Sequence, residues 1–266
     1  MGSMLVVKVG GAEGNGIDNV LVDLAPRRDY VLVHGGSNEV DRLAEALGRP
    51  IRWITSPSGV VSRYTDLATM EVFTMALTGK LNTAIVSRLQ ALGAPAVGLS
   101  GVDGGLLLGR RKEAVRTVDH GRVLLVKDDH SGTVEQVNAS LIQLLFDAGY
   151  VPVISPPGVT PQGELINADA DRVAAQIAVA MKAETLVLLT NVPGLLREPS
   201  DPSSLIAEVP KARLSAFQDF AYGRMKKKLI AAGEALQGGV KRVVIASSLQ
   251  PDPVERALEG MGTVIA

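Results

Sequence analysis

The stretch "MLVVKVGG", Met4 to Gly11, decides how the rest of the chain reads. Leu5–Val9 is apolar apart from Lys8, without the polar alternation of a half-exposed strand. A run of this kind is a strand covered on both faces, as in a parallel sheet. A lysine and a glycine pair at the carboxyl end of such a strand suggest a phosphate site. The common phosphate loop, G-x-x-x-x-G-K-S/T, is absent from the chain. The question is therefore what else converges on Lys8.

The pattern repeats. Tyr30–His34, Ala96–Leu99, Val151–Ile154, Leu186–Leu189 and Arg242–Ala246 read as further buried strands. Helical spacing lies between them. Val40, Leu43, Ala44 and Leu47 form one stripe closed by Gly48. Thr65 is expected to cap one long helix carrying Met70, Phe73, Leu77, Leu81, Ile85, Leu89 and Leu92, closed by Gly93. Asn138–Ala148, Asp169–Met181 and Arg224–Gln237 complete the set. Strand and helix in alternation predict an α/β fold with a mainly parallel sheet, right-handed crossovers and helices on both sides. Ile51–Arg63 and Leu106–Val137 read as hairpins over one end of the sheet. A boundary near residue 180 divides one continuous domain into an N-terminal lobe, 4–180, and a C-terminal lobe, 181–266.

Composition narrows the function. The 266 residues are 46% hydrophobic, enough for a large core, and the net charge of -1 gives no support for a nucleic-acid or membrane partner. No apolar run reaches the roughly 18 residues of a membrane span. No secretory leader pattern is read, so a soluble cytoplasmic protein is expected. The absence of cysteine excludes disulfides and thiolate metal sites. His34, His120 and His130 are scattered, and no metal site is expected.

In an open parallel sheet, ligands bind beyond the carboxyl ends of the strands. There the chain places Gly10-Gly11, then His34-Gly35-Gly36-Ser37 running into a helix, then "LSGVDGG", Leu99 to Gly105. Any one of these turns reads most simply as a strand end; three on adjacent strands favour a phosphate site. In "INADAD", Ile166 to Asp171, the acidic residues suit helix capping, yet Asp171 also suits holding lysine ammonium groups. In "GRMKKK", Gly223 to Lys228, most lysines should be solvated, and Lys228 aligns best with the apolar side of the helix. "TNVPGLL", Thr190 to Leu196, is a turn on which a nucleotide could rest, and Arg63 could grip a carboxylate. Lysines, glycine amides, Asp and Asn together suit phosphoryl transfer, where the protein mainly positions groups and neutralises charge.

Taken in order, "KVGG", "HGG", "SRYTD", "GLSGVDG", "GYVPVISP", "INADAD", "TNVPGLL" and "GRMKKK" resemble the amino acid kinase family, in its N-acetylglutamate kinase branch. The resemblance implies a three-layer αβα sandwich, a homodimer, ATP on the C-terminal lobe and a carboxylate acceptor on the N-terminal lobe, with Mg²⁺ arriving on ATP. It implies that Lys8 and Lys228 stabilise the transferring phosphoryl group and that Asp171 orients both. Gly10, Gly11, Gly35 and Gly36 would offer amides to the phosphates or the acceptor. Arg63 and Asn167 would hold the acceptor, and Thr190, Asn191, Pro193 and Gly194 would line the nucleotide. "GLLLGRRKEAV", Gly105 to Val115, further resembles kinases acting on α-aminoadipate, or glutamate, attached to a small acidic amino-group carrier protein. Arg110, Arg111 and Lys112 would then meet the carrier; read without the resemblance, they are solvated charges on a hairpin. Free N-acetylglutamate is the alternative acceptor in arginine biosynthesis, and a non-catalytic amino-acid-sensing module is the third reading.

Overall fold

The structure is a computed structural model that describes residues 4–10, 16–57, 59, 61–119 and 121–266, so Gly11 and His120 lie outside the described residues. The apolar runs form the central sheet, each within a residue of its expected bounds. Its strands are β1 (Leu5–Val9), β2 (Tyr30–His34), β3 (Ala96–Ser100), β4 (Val151–Ser155), β5 (Thr185–Thr190), β6 (Glu208–Val209), β7 (Arg242–Ser247) and β8 (Thr263–Ile265). Their order across the sheet is β6-β8-β7-β5-β1-β2-β4-β3. Every pairing is parallel except β8 against β7. The short strands β6 and β8 carry too few residues to stand out as apolar runs. Strands after residue 180 fill one half of the sheet and strands before it fill the other, with β1 and β5 paired at the seam.

Helices cover both faces, giving three layers. Strand alternation sorts the sheet's side chains between them. Val6, Val31, Val33, Leu186 and Leu188 pack with α5 (Ala139–Asp147), α6 (Ala170–Ala180) and α7 (Arg224–Gln237). Leu5, Val7, Val9 and Leu32 pack with α1 (Ile17–Leu24), α4 (Thr83–Ala91) and α8 (Pro253–Leu258). No helix among the described residues is long and apolar enough to cross a membrane.

The expected single helix after Thr65 is three segments. α3 (Leu67–Thr74) runs into a π-helical turn, Met75–Asn82, and then into α4. Its N-cap is Asp66, whose carboxylate accepts from the Thr69 amide at 2.8 Å. Thr65, expected as the cap, is instead fully buried. Gly93 ends the run with φ +84°. Both expected hairpins form. Trp53–Thr55 pairs with Val61–Arg63. Within the longer insertion, Val115–Asp119 pairs with Arg122–Val126. Leu107–Arg111 lies between Gly132–Val137 and Pro157–Val159, and Leu165–Asn167 pairs with Pro157–Val159 at the edge of this second sheet.

Candidate active site

Lys8 lies two residues beyond Val6 on β1 and so shares its face, the one covered by α6 and α7. That placement brings it to Asp171, in the first turn of α6, at 2.8 Å from Nζ to Oδ1. From α7, the Lys228 Nζ reaches the same carboxylate at 2.9 Å to Oδ1 and 3.1 Å to Oδ2. The three side chains are nearly dry: Lys8 is 6% exposed, Asp171 7% and Lys228 5%. Of the other two lysines in the run, Lys226 is exposed and Lys227 pairs with Asp169 at 3.2 Å. Asp169 caps α6, accepting from the amides of Asp171 at 3.1 Å and Arg172 at 3.4 Å.

Burial disfavours the Asp171 carboxylate, but the charges and hydrogen bonds of Lys8 and Lys228 outweigh it and hold the acid well below the usual carboxylate range. Burial and the nearby Lys8 charge lower the pKa of Lys228 to about 8, against the pull of Asp171. One carboxylate between two ammonium groups leaves an uncompensated positive charge in a dry place, which is a receptor for an anion.

The other expected residues fall into place unevenly. Gly35 does not offer its amide to a ligand, because its N–H donates to the Val9 carbonyl at 3.0 Å and extends the β1–β2 ladder. Gly36 precedes α2 (Ser37–Ala46), and a Cβ there would stand 2.1 Å from Leu77 and 2.4 Å from Leu81 of the π-helical turn, so both leucine side chains would have to shift. Arg63 is held on one edge by Asp41, at 2.6 Å from Nη2, and by Ser37, while its buried Nε has no partner among the described residues. Asn167 donates Nδ2–H to the Thr65 hydroxyl at 2.9 Å, and two residues on, Asp169 opens α6. The Thr190 carbonyl accepts from Ser248, and Asn191 is exposed beyond it. Gly194 is needed for packing, since a Cβ would lie 2.5 Å from the Thr263 hydroxyl.

The basic run at the hairpin divides. Arg110 pairs at the surface with Glu135 at 3.0 Å, and Lys112 is exposed. Arg111 is turned inward, binding the carbonyls of Asp129 and Lys127 and the carboxylate of Glu164. Its guanidinium is therefore engaged within the chain rather than free in solvent.

The sequence pattern of the amino acid kinase family matches residues 3–247. The chain belongs to the amino acid kinase family. It is 51% identical over 268 aligned residues to the LysW-aminoadipate kinase of Deinococcus radiodurans, covering 99% of this chain and 92% of the relative. It is 48% identical to the LysW-aminoadipate kinase of Thermus thermophilus, covering 98% of this chain and all of the relative. Among solved structures, the N-acetylglutamate synthase of Neisseria gonorrhoeae complexed with coenzyme A and N-acetyl-glutamate aligns with a TM-score of 0.76 at 25% identity. That alignment takes in 99% of this chain, which spans 59% of the synthase chain.

Two parts of this amino acid kinase escape a reading by sequence. Asp41 sits on α2, and nothing in its neighbourhood along the chain marks it as the partner of Arg63. Asn82 ends the π-helical turn and reaches His34 and Val153 in the sheet. An asparagine inside an apolar helical stripe was the available signal, because a buried amide needs partners.

Proposed function

We propose that this chain is a kinase that transfers the γ-phosphoryl group of ATP to the side-chain carboxylate of α-aminoadipate borne by the carrier protein LysW, giving an acyl phosphate. The observation that carries the reading is the pair of buried ammonium groups, Lys8 and Lys228, sharing one carboxylate, Asp171. The names of the relatives support the choice of acceptor.

The chemistry suits the residues. A carboxylate acceptor is already anionic at neutral pH, so no general base is required. The barrier is repulsion between two anions as they approach. Lys8 and Lys228 come from opposite sides of the sheet seam, one on β1 and one on the segment after residue 180, and would neutralise the moving group from both lobes. Asp171 keeps both ammonium groups aligned when no phosphate is present. The 4–180 lobe would hold the acceptor through Arg63 and Asn167. The 181–266 lobe would hold the nucleotide along Thr190–Gly194. Both Asp171 oxygens are engaged by ammonium groups, so magnesium fits here on the phosphates of ATP and not on this carboxylate.

Trapping the acyl phosphate with hydroxylamine tests the reading. LysW-linked aminoadipate should give hydroxamate at a higher kcat/KM than free N-acetylglutamate. A preference for the free acceptor would overturn the choice of substrate, and no product with either would overturn the enzyme.

A further inference from the structure

Arg111 lies at the end of the strand Leu107–Arg111, with a side chain 24% exposed, and its guanidinium joins two separate pieces of chain. Its Nε donates to the Asp129 carbonyl at 2.9 Å and its Nη2 to the Lys127 carbonyl. Its Nη1 pairs with Glu164, the residue immediately before the strand Leu165–Asn167. Arg111 thus grips both the 127–131 loop and the entry to the strand that ends at Asn167.

The loop passes this hold on to Thr65. Asp129 is 1% exposed, and its two carboxylate oxygens are spent on backbone amides: Oδ2 accepts from Thr65 at 2.8 Å and Oδ1 from Ser131 at 2.8 Å. The next residue binds on both sides. The His130 amide donates to the Thr65 carbonyl at 2.7 Å, and its own carbonyl accepts from the Asn167 amide at 2.8 Å. The Thr65 hydroxyl then takes the Asn167 Nδ2–H. Thr65 follows Arg63 by two residues, so the network fixes both residues assigned to the acceptor.

We propose that Arg111 and Asp129 are positioning residues for the acceptor wall: Arg111 braces the 127–131 loop, and the buried Asp129 transmits its position to Thr65 and Asn167. The inference rests on the reading that Arg63 and Asn167 hold the acceptor. The residue types fit the task. A guanidinium is a rigid fork of donors that can satisfy two carbonyls and a carboxylate at once, whereas a lysine ammonium is a point charge on a flexible stem. Both Asp129 oxygens accept backbone N–H groups here, a role that the amide nitrogen of an asparagine cannot take.

The test uses Arg111→Ala, Arg111→Lys and Asp129→Asn in the full chain, with hydrogen exchange resolved at the Thr65 and Asn167 amides. In each variant these amides should exchange at least ~10-fold faster, while amides of β5 and β7 keep wild-type rates, as expected for a local opening. In parallel, KM for the acceptor that wild type uses should rise ~10-fold or more, the scale on which a misplaced substrate-holding group is felt, with the dissociation constant of an ATP analogue unchanged. Wild-type exchange at Thr65 and Asn167 in Arg111→Ala would overturn the brace. So would equal acceleration throughout the sheet, which would make Arg111 a general stabiliser. Full rescue by Arg111→Lys would also overturn it, reducing Arg111 to a charge partner of Glu164. The exchange measurement needs no turnover, so absence of activity in wild type would defeat the functional reading and still leave the brace decided.

Discussion

Asn82 donates its Nδ2–H groups to the Nε2 of His34, at 3.1 Å, and to the Val153 carbonyl, at 3.0 Å. The first bond requires an unprotonated Nε2, so the ring proton of His34 sits on Nδ1 and is donated to the Gly35 carbonyl at 3.1 Å. Burial pushes the His34 pKa down to about 4, with the hydrogen bond to Gly35 opposing and the Lys8 charge adding. The imidazole is therefore a neutral strut at physiological pH. It ties the π-helical turn to the end of β2, next to the glycine pair in front of α2. The wider π turn places Asn82 over the sheet, and such turns recur at functional sites.

Asn82→Ala should lose about 1–3 kcal/mol of stability, the usual cost of stranding buried hydrogen-bonding groups, here the Val153 carbonyl and His34 Nε2. Gly98→Ala should also destabilise, because its Cβ would stand 2.0 Å from Asn82 Oδ1. The double variant should cost less than the sum of the two, since removing the amide clears the clash. Urea midpoints of the four proteins measure the coupling; strict additivity would mean that the two positions do not meet.

Lys8→Ala should lower kcat by roughly 10²-fold or more with little change in acceptor KM, because its charge acts on the group in flight and not on the resting acceptor. Steady-state kinetics with a hydroxylamine trap separates the two constants. Near-normal kcat in a folded variant would remove Lys8 from the chemistry.

The sheet and the dry charge cluster could be read from the sequence for a physical reason. Strands covered on both faces leave unbroken apolar runs, and Leu229, Ala232 and Ala235 on one side of α7 single out Lys228 from its neighbours. The π-helical segment was hidden because a short widened stretch shifts the stripe without ending it, so Met70 through Leu92 still read as a single helix. Arg111 was hidden because its partners Lys127 and Asp129 offer backbone carbonyls, which carry no side-chain signature. "GRRK" reads the same whether its second arginine faces water or braces a loop. The Gly35 amide was misread for a related reason: a glycine after a strand looks free until the register shows the ladder extending to it.

The pH dependence follows from Lys228. A lysine lowered to about 8 by burial and by Lys8 loses its proton, and its charge, as pH rises through that value. kcat/KM for ATP should therefore fall on the alkaline side with an apparent pKa near 8, since this ratio reports the free enzyme. Under saturating ATP the limb should move to higher pH, because phosphate favours the charged lysine. Asp171→Asn removes the charge that keeps Lys228 protonated against burial, so in this variant the limb should move below its wild-type position, along with a large loss of kcat. A limb that stays in place in Asp171→Asn would assign the titration to another group.

The divided basic run gives the last expectation. Arg110 and Lys112 are exposed, Arg110 paired with Glu135 at the surface, whereas Arg111 is engaged inside. Exposed charges chiefly speed encounter and set orientation with an oppositely charged partner, and they are screened beyond ~8 Å at physiological salt. With an acidic carrier as the substrate, wild-type kcat/KM should fall as salt rises. The double variant Arg110→Ala/Lys112→Ala should flatten that dependence and raise KM for carrier-linked acceptor, with hydrogen exchange at Thr65 and Asn167 untouched. Arg111→Ala should differ: KM should stay raised even at high salt, where encounter electrostatics are screened, because its proposed role is positioning. Kinetics of the two variants from low to high salt distinguish attraction from positioning. If all three residues flattened the slope equally, the run would act as one docking patch. If none did, the carrier would meet the kinase elsewhere.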